Sequence, residues 1–201
     1  MRLNRSKPSL RRLGGGLDRR LCTCAGLFCA LVLTPMWAGA QGDVSAVLER
    51  RLKAALLYRM VAYVDFPEAL FPKADTPFTI GIAGADSLAA ELSEFATGRT
   101  VLNRPLAVRA VRTPEAARDV HLMFIGRAEQ AQLGTLLRAA PPTALIVTES
   151  DDALRQGSVI NFLIIDGQVR FEVSLEAARK RSLRLSARLL SVAHSIQPAL
   201  P

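Results

Sequence analysis

The chain has 201 residues, half of them hydrophobic, and a formal charge of +8. That is enough apolar material for one buried core, and the length fits one domain plus a processed segment. Seven of the 26 basic residues and one of the 18 acids lie in the first twenty positions, leaving 19 basic against 17 acidic residues, a net +2. A charge that disappears with one segment argues against a polyphosphate-binding face.

That segment reads as an export leader. The basic run ends at Arg20, an apolar stretch follows from Leu21 to Leu33, and Pro35 and Ala38-Gly39-Ala40 come next. A charged head, an apolar body too short to span a bilayer, and small residues at the cutting position form a secretory signal. Cleavage is expected after Ala40, giving a leader of residues 1–40 and an exported domain of residues 41–201; an uncleaved anchoring segment is the alternative. Thr23 and Phe28 precede Cys24 and Cys29, which argues against lipid attachment, and the glycines after Arg11-Arg12 argue against a twin-arginine route. Cys22, Cys24 and Cys29 all fall in the leader, so the exported form is expected to enter an oxidising compartment with neither thiol nor disulfide.

In the expected mature chain, Asp43 is placed to cap a helix running to about Val64. Leu48, Leu52, Ala55 and Leu56 share one face of it, with Glu49, Arg50 and Lys53 opposite. Asp65-Phe66-Pro67 ends it, because proline disfavours helical geometry in the preceding residue. Strands and helices then alternate. Phe78–Ile82 is a strand, Ser87–Ala96 a helix, and Pro105–Val111 a strand of period two. Pro114 opens a short helix at its favoured position. His121–Ile125 and Thr143–Thr148 are apolar enough to be covered on both faces, with a helix over Glu129–Ala139 between them. Asp151-Asp152 is expected to cap Ala153–Gln156.

Val159–Ile165 and Gln168–Val173 flank Asp166-Gly167, the pair that a two-residue hairpin turn demands. Ser174 caps a helix through Arg181, Leu183–Leu185 alternates like a small strand, and Ser186 caps a last helix to about Ile196. This order predicts a single α/β domain: a mostly parallel sheet flanked by helices, with a C-terminal β-hairpin.

Reactive groups are scarce. The two histidines, His121 at a strand start and His194 at the expected end of the last helix, have no Gly-x-Ser-x-Gly elbow to serve. They cannot form a four-ligand structural zinc site without thiols. Asp151-Asp152 lacks the spaced carboxylates of a calcium loop. Gly81-x-x-Gly84 is read as a tight turn between strand and helix, since it has neither the dinucleotide spacing nor a P-loop lysine. No catalytic residue, cofactor or metal is therefore expected. Two surface features remain. Tyr58, Tyr63, Phe66 and Phe71 cluster around the end of the first helix, as core or as an exposed contact patch. Arg179, Lys180, Arg181, Arg184 and Arg188 form the densest basic stretch, with Arg181, Arg184 and Arg188 at helical spacing.

Several segments resemble the YfiR-like family of periplasmic proteins. They are Lys53–Tyr58; Tyr63-Val64-Asp65-Phe66-Pro67, where phenylalanine replaces the family's tryptophan; Phe78–Gly84; Leu122–Gly126; Gly157–Phe162; Val169–Val173; and Leu183–Leu190. The resemblance covers roughly residues 50 to 195. It implies a non-catalytic, dimeric regulator that binds the periplasmic portion of an inner-membrane diguanylate cyclase and represses it, lowering cyclic di-GMP and biofilm formation. A membrane sensor kinase is the other partner that the resemblance implies. Some relatives carry cysteine pairs, which the expected mature chain lacks. Tyr63, Phe66 and Phe71, with Arg184 and Arg188, are the expected partner contacts; Asn161, Arg170 and Glu172 match family landmarks and suit either a contact or a structural role. The rival reading is a small-ligand sensor, with its site at the carboxyl ends of the strands.

Overall fold

The computed structural model describes residues 40–71, 73 and 75–199; residues 1–39 of the expected leader, its cysteines among them, lie outside the described residues. In chain order the elements are α1 (Ala40–Val61), β1 (Val64–Asp65), β2 (Phe78–Ala83), α2 (Asp86–Ala96), β3 (Thr100–Val101) and β4 (Arg104–Ala110). Then come β5 (Leu122–Ile125), α3 (Leu133–Ala139), β6 (Leu145–Thr148), α4 (Ala153–Gln156), β7 (Ile160–Ile165) and β8 (Gln168–Ser174). Last are α5 (Leu175–Lys180), β9 (Arg184–Leu185), α6 (Ala187–Leu190) and β10 (Ser195–Gln197).

Eight strands form one sheet in the order β10-β8-β7-β6-β5-β2-β4-β3. The pairs from β4 through β2, β5 and β6 to β7 are parallel, as is β8 with β10, while β7–β8 and β3–β4 are antiparallel. The chain leaves β2 for β4 on one side and returns to β5 on the other. β5 and β6 are buried at every position, as strands covered on both faces must be. One core lies between the sheet and α1 with α2, built on Leu57, Val61, Phe78, Ile80, Leu92, Phe124 and Phe162. A second, smaller core on the opposite face joins Val120, Met123 and Ile146 to Leu133 and Leu136 of α3. The α/β class, the mostly parallel sheet and the β7–β8 hairpin are as expected, and Asp166 and Gly167 both take the left-handed geometry of the turn, at φ 51° and 71°.

The expectations fail in several places. First, α1 begins at Ala40, so Asp43 is inside the helix, and Val64 belongs to β1, paired antiparallel with β9. Second, α1 buries Ala54, Leu57, Met60 and Val61, not the Leu48–Leu52 face, which stands in solvent at 66% and 43% exposure. Both flanks of the helix are apolar, and core contact selects the one that carries Ala54, Leu57 and Val61. Third, Asp152 precedes α4 in a left-handed conformation and makes no cap; its carboxylate pairs instead with Arg155. Fourth, the last helix stops at Leu190, and Ser195–Gln197 is a strand beside β8. His194 is therefore not helical: its N–H donates to the Phe171 carbonyl at 2.8 Å, which starts that pairing. The Glu129–Ala139 segment is helical only as a 3-10 turn followed by α3. The short β3 was not expected; it turns into β4 through Leu102 and Asn103, both left-handed.

Candidate functional site

The basic stretch does not form one face. Arg181 is drawn inward, where its guanidinium donates to the carbonyls of Pro141 at 3.0 Å and of Ala144 and Leu137 at 3.4 Å. It closes the end of α3, and burial pushes its pKa down. Arg184 points out from β9 beside Asp65 of β1, at 3.9 Å with both groups exposed, a pair that contributes little. Arg188 is exposed on α6 and makes no ion pair among the described residues.

The aromatic cluster also separates. Phe66 and Phe71 are half-buried against the core: Phe66 meets Phe78 edge-on at 5.2 Å, and Phe71 stacks on His121 at 4.9 Å. The Arg104 guanidinium covers the other side of Phe71, 4.2 Å from its centroid. Tyr58 ties α1 to its neighbours through the Thr100 carbonyl at 3.1 Å and an edge contact with Phe95. Of these four aromatics Tyr63 lines an open groove, which Arg188 also lines.

That groove has a volume of about 490 Å³ and lies between α1, β8 and α6. Leu56, Arg59, Met60 and Tyr63 of α1 and the turn after it form one wall; Arg188, Leu189 and Val192 form the other, over Phe171 of β8. The sheet extends its floor. Ile164 pairs with Val169, Phe162 with Phe171, and Val173 with both Ile160 and Ile196. Paired residues share a face and alternate residues repeat it, so Ile164, Val169 and Ile196 lie on the Phe171 side. Ile164, Val192 and Ile196 are all exposed, as are Val44, Leu48 and Leu52 along the outer flank of α1. Exposed apolar residues gathered in a strip, rather than scattered, mark a surface that binds something. Position in sequence hides this strip. Its one local sign is the four-residue spacing Val44, Leu48, Leu52, Leu56.

Asn161 and Glu172 are structural. Asn161 Oδ1 accepts from Thr148 Oγ1 at 2.8 Å and from the Ser150 N–H at 3.1 Å, and its Nδ2 donates to Glu172 at 3.0 Å. Ser158 joins the same buried set through Thr148 at 2.9 Å, with no histidine beside it. Arg170, exposed on β8, meets only Gln168 of its own strand among the contacts described.

At the carboxyl ends of the strands, Lys53 bridges Glu49 and Glu149, each at 2.5 Å. Burial opposes its charge, but the two carboxylates outweigh that and raise its pKa. The crevice between β2 and β5 is filled: a Cβ on Gly126 would lie 2.6 Å from the Gly84 carbonyl, so the two turns touch backbone to backbone. Gly84 takes the left-handed conformation expected of a tight turn. Among the described residues no group of three acids, histidines or cysteines could hold a metal, and no helix is long and apolar enough to cross a membrane.

Two solved structures share the fold. One is a conserved domain protein from Vibrio cholerae O1 biovar eltor str. N16961, with TM-score 0.53 and 11% identity over 74% of this chain and 60% of that one. The other is an ABC domain from Streptococcus pneumoniae in complex with L-Trp, with TM-score 0.51 and 10% identity over the same shares. The chain thus spans about 60% of the length of either. Comparison with curated proteins gives no match. Residues 50–194 match the YfiR/HmsC-like family, from the middle of α1 to the start of β10, and the chain belongs to that family.

Proposed function

We propose that the exported form of this chain is a non-catalytic periplasmic regulator that binds the periplasmic portion of an inner-membrane diguanylate cyclase and represses it. Family membership supports the class of partner. The observation that carries the reading is the groove beside α1, an apolar strip on a protein whose buried Asn161 and half-buried Arg181 are spent on its own backbone and side chains. Tyr63 and Arg188 are the contact residues in this reading, joined by Leu52, Leu56 and Val192. Phe66 and Phe71 brace the loop behind them. Repression requires tighter binding to the inactive cyclase than to the active one, since equal affinity for both states shifts nothing.

The test is co-production of the full chain, leader included, with a candidate inner-membrane diguanylate cyclase, followed by measurement of cyclic di-GMP. A fall in cyclic di-GMP together with recovery of the cyclase on the tagged protein is the expected result. Unchanged cyclic di-GMP and no recovery would remove the reading.

A further inference from the structure

The groove has a definite shape and a definite charge, and together they specify what fits it. On this face of the sheet α2 packs over β4 and against α1, and α1 reaches β8. Helices on a sheet sit about 10 Å apart, roughly two strand widths. The next helix position beyond α1 lies over β8 and β10, where the four-residue α6 closes one end and α5, which follows β8, meets β10. Its floor is the Ile164–Val169–Phe171–Ile196 surface, and its long wall is the outer flank of α1, with Leu48, Leu52 and Leu56 one turn apart. A slot of this form takes an α-helix laid alongside α1.

The rim carries only positive charge. Arg59 and Arg188, on opposite walls, are exposed and make no ion pair among the described residues, and no acidic side chain lines the groove. A second copy of α1 would bring Arg51 and Arg59 against this rim, while its Glu49 is held by Lys53. We infer that the occupant is an amphipathic helix of the partner, apolar along one stripe and acidic on both flanks, seated parallel or antiparallel to α1 with its carboxylates on Arg59 and Arg188. This rests on the groove being the partner's docking site, as proposed above.

Two synthetic helices serve as probes: 18-residue Ala/Leu peptides with one leucine stripe, flanked in one by glutamates and in the other by lysines. Binding to the purified exported protein is read by fluorescence anisotropy in low and moderate salt. The acidic peptide is expected to bind at least ten-fold more tightly, to weaken with salt, and to lose its advantage on the Arg59→Glu/Arg188→Glu variant. Val192→Asp is expected to weaken both peptides. Equal binding of the two peptides, or a preference for the basic one, overturns the inference. So does a dimer in sedimentation that becomes monomeric on Leu52→Glu, because a second copy then fills the slot. The cyclic di-GMP assay separates the two levels. Repression that needs Leu52 and Val192 but ignores Arg59→Glu/Arg188→Glu sinks the acidic helix and keeps the docking site. Repression indifferent to all four residues sinks both.

Discussion

His121 is held neutral by its surroundings. Its Nδ1 accepts from the Thr79 N–H at 3.0 Å, its ring stacks on Phe71, and it is 7% exposed at the start of β5. Burial lowers its pKa, a hydrogen bond to the Leu70 backbone works the other way, and Arg104 and Arg109 lower it further. The folded pKa therefore lies below the unfolded value of about 6.5, and the unfolded chain takes up the proton first. Stability from this site is complete above about pH 6.5 and is lost as pH falls through the folded pKa. Urea midpoints at pH 7.5 and pH 5.0 should fall with acidification by more in the native chain than in His121→Phe; equal falls would show that the ring is not the titrating group. Asn161 is the other residue that the fold cannot exchange. Removing its amide leaves the buried Ser150 N–H without its acceptor, while Thr148 keeps Ser158 and Glu172 is only part-buried; one unsatisfied buried donor costs about 1–3 kcal/mol. Asn161→Ala should destabilise the protein by about 2 kcal/mol in urea unfolding, and a loss below about 1 kcal/mol would deny the network that role.

At the level of elements, α1 decides between core and surface. Leu57 is fully buried beneath it, and Leu48 is mostly exposed above it. Leu57→Ala should cost about 3 kcal/mol, and Leu48→Ala within about 0.5 kcal/mol of nothing; the reverse order would put the helix the other way round. The same helix shows where sequence reasoning succeeds and where it stops. Asp166-Gly167 is legible because only a left-handed pair closes a two-residue hairpin, and Ser174 and Ser186 are legible because each accepts from the N–H three residues on, at 3.2 and 3.3 Å. Both are local chemistry. Which flank of α1 faces the sheet is not local: Leu48-Leu52-Leu56 and Ala54-Leu57-Val61 are equally good stripes, and only tertiary contact chooses. β3 was hidden because Leu102 turns at φ 51°, a conformation its branched side chain gives no reason to expect. β10 was hidden because Ser195-Ile196-Gln197 is too short to show a period and comes four residues after a helix. Arg181 shared helical spacing with Arg184 and Arg188 but turns in to cap α3, which a one-dimensional pattern cannot display.

For the whole molecule, the sequence signals converge on a fold while the candidate site emerges only in three dimensions. Tyr63 and Arg188 stood out separately as an aromatic and a base. They become one site because β1 pairs with β9, which brings the exit of α1 against the entry of α6, with the Ser186 N–H donating to the Tyr63 carbonyl at 2.9 Å. Leu189 and Val192, the remaining wall, carried no signal beyond being apolar. The resulting surface departs from a plain helix-covered sheet: one face is covered by α1 and α2, and the place beside α1 is left open over β8 and β10. Binding energy at such a surface concentrates in a few central aromatic, arginine and aliphatic anchors, so single changes there should have large effects on association and small ones on folding.

The most direct test is therefore a comparison of cyclic di-GMP in cells that produce the proposed partner cyclase with either the native chain or Val192→Asp, both exported and with equal thermal midpoints. Val192 is exposed at 65% and supports nothing in the core, so the change should leave the fold intact and abolish repression. Full repression by a stable, exported Val192→Asp protein would contradict the groove as the working surface.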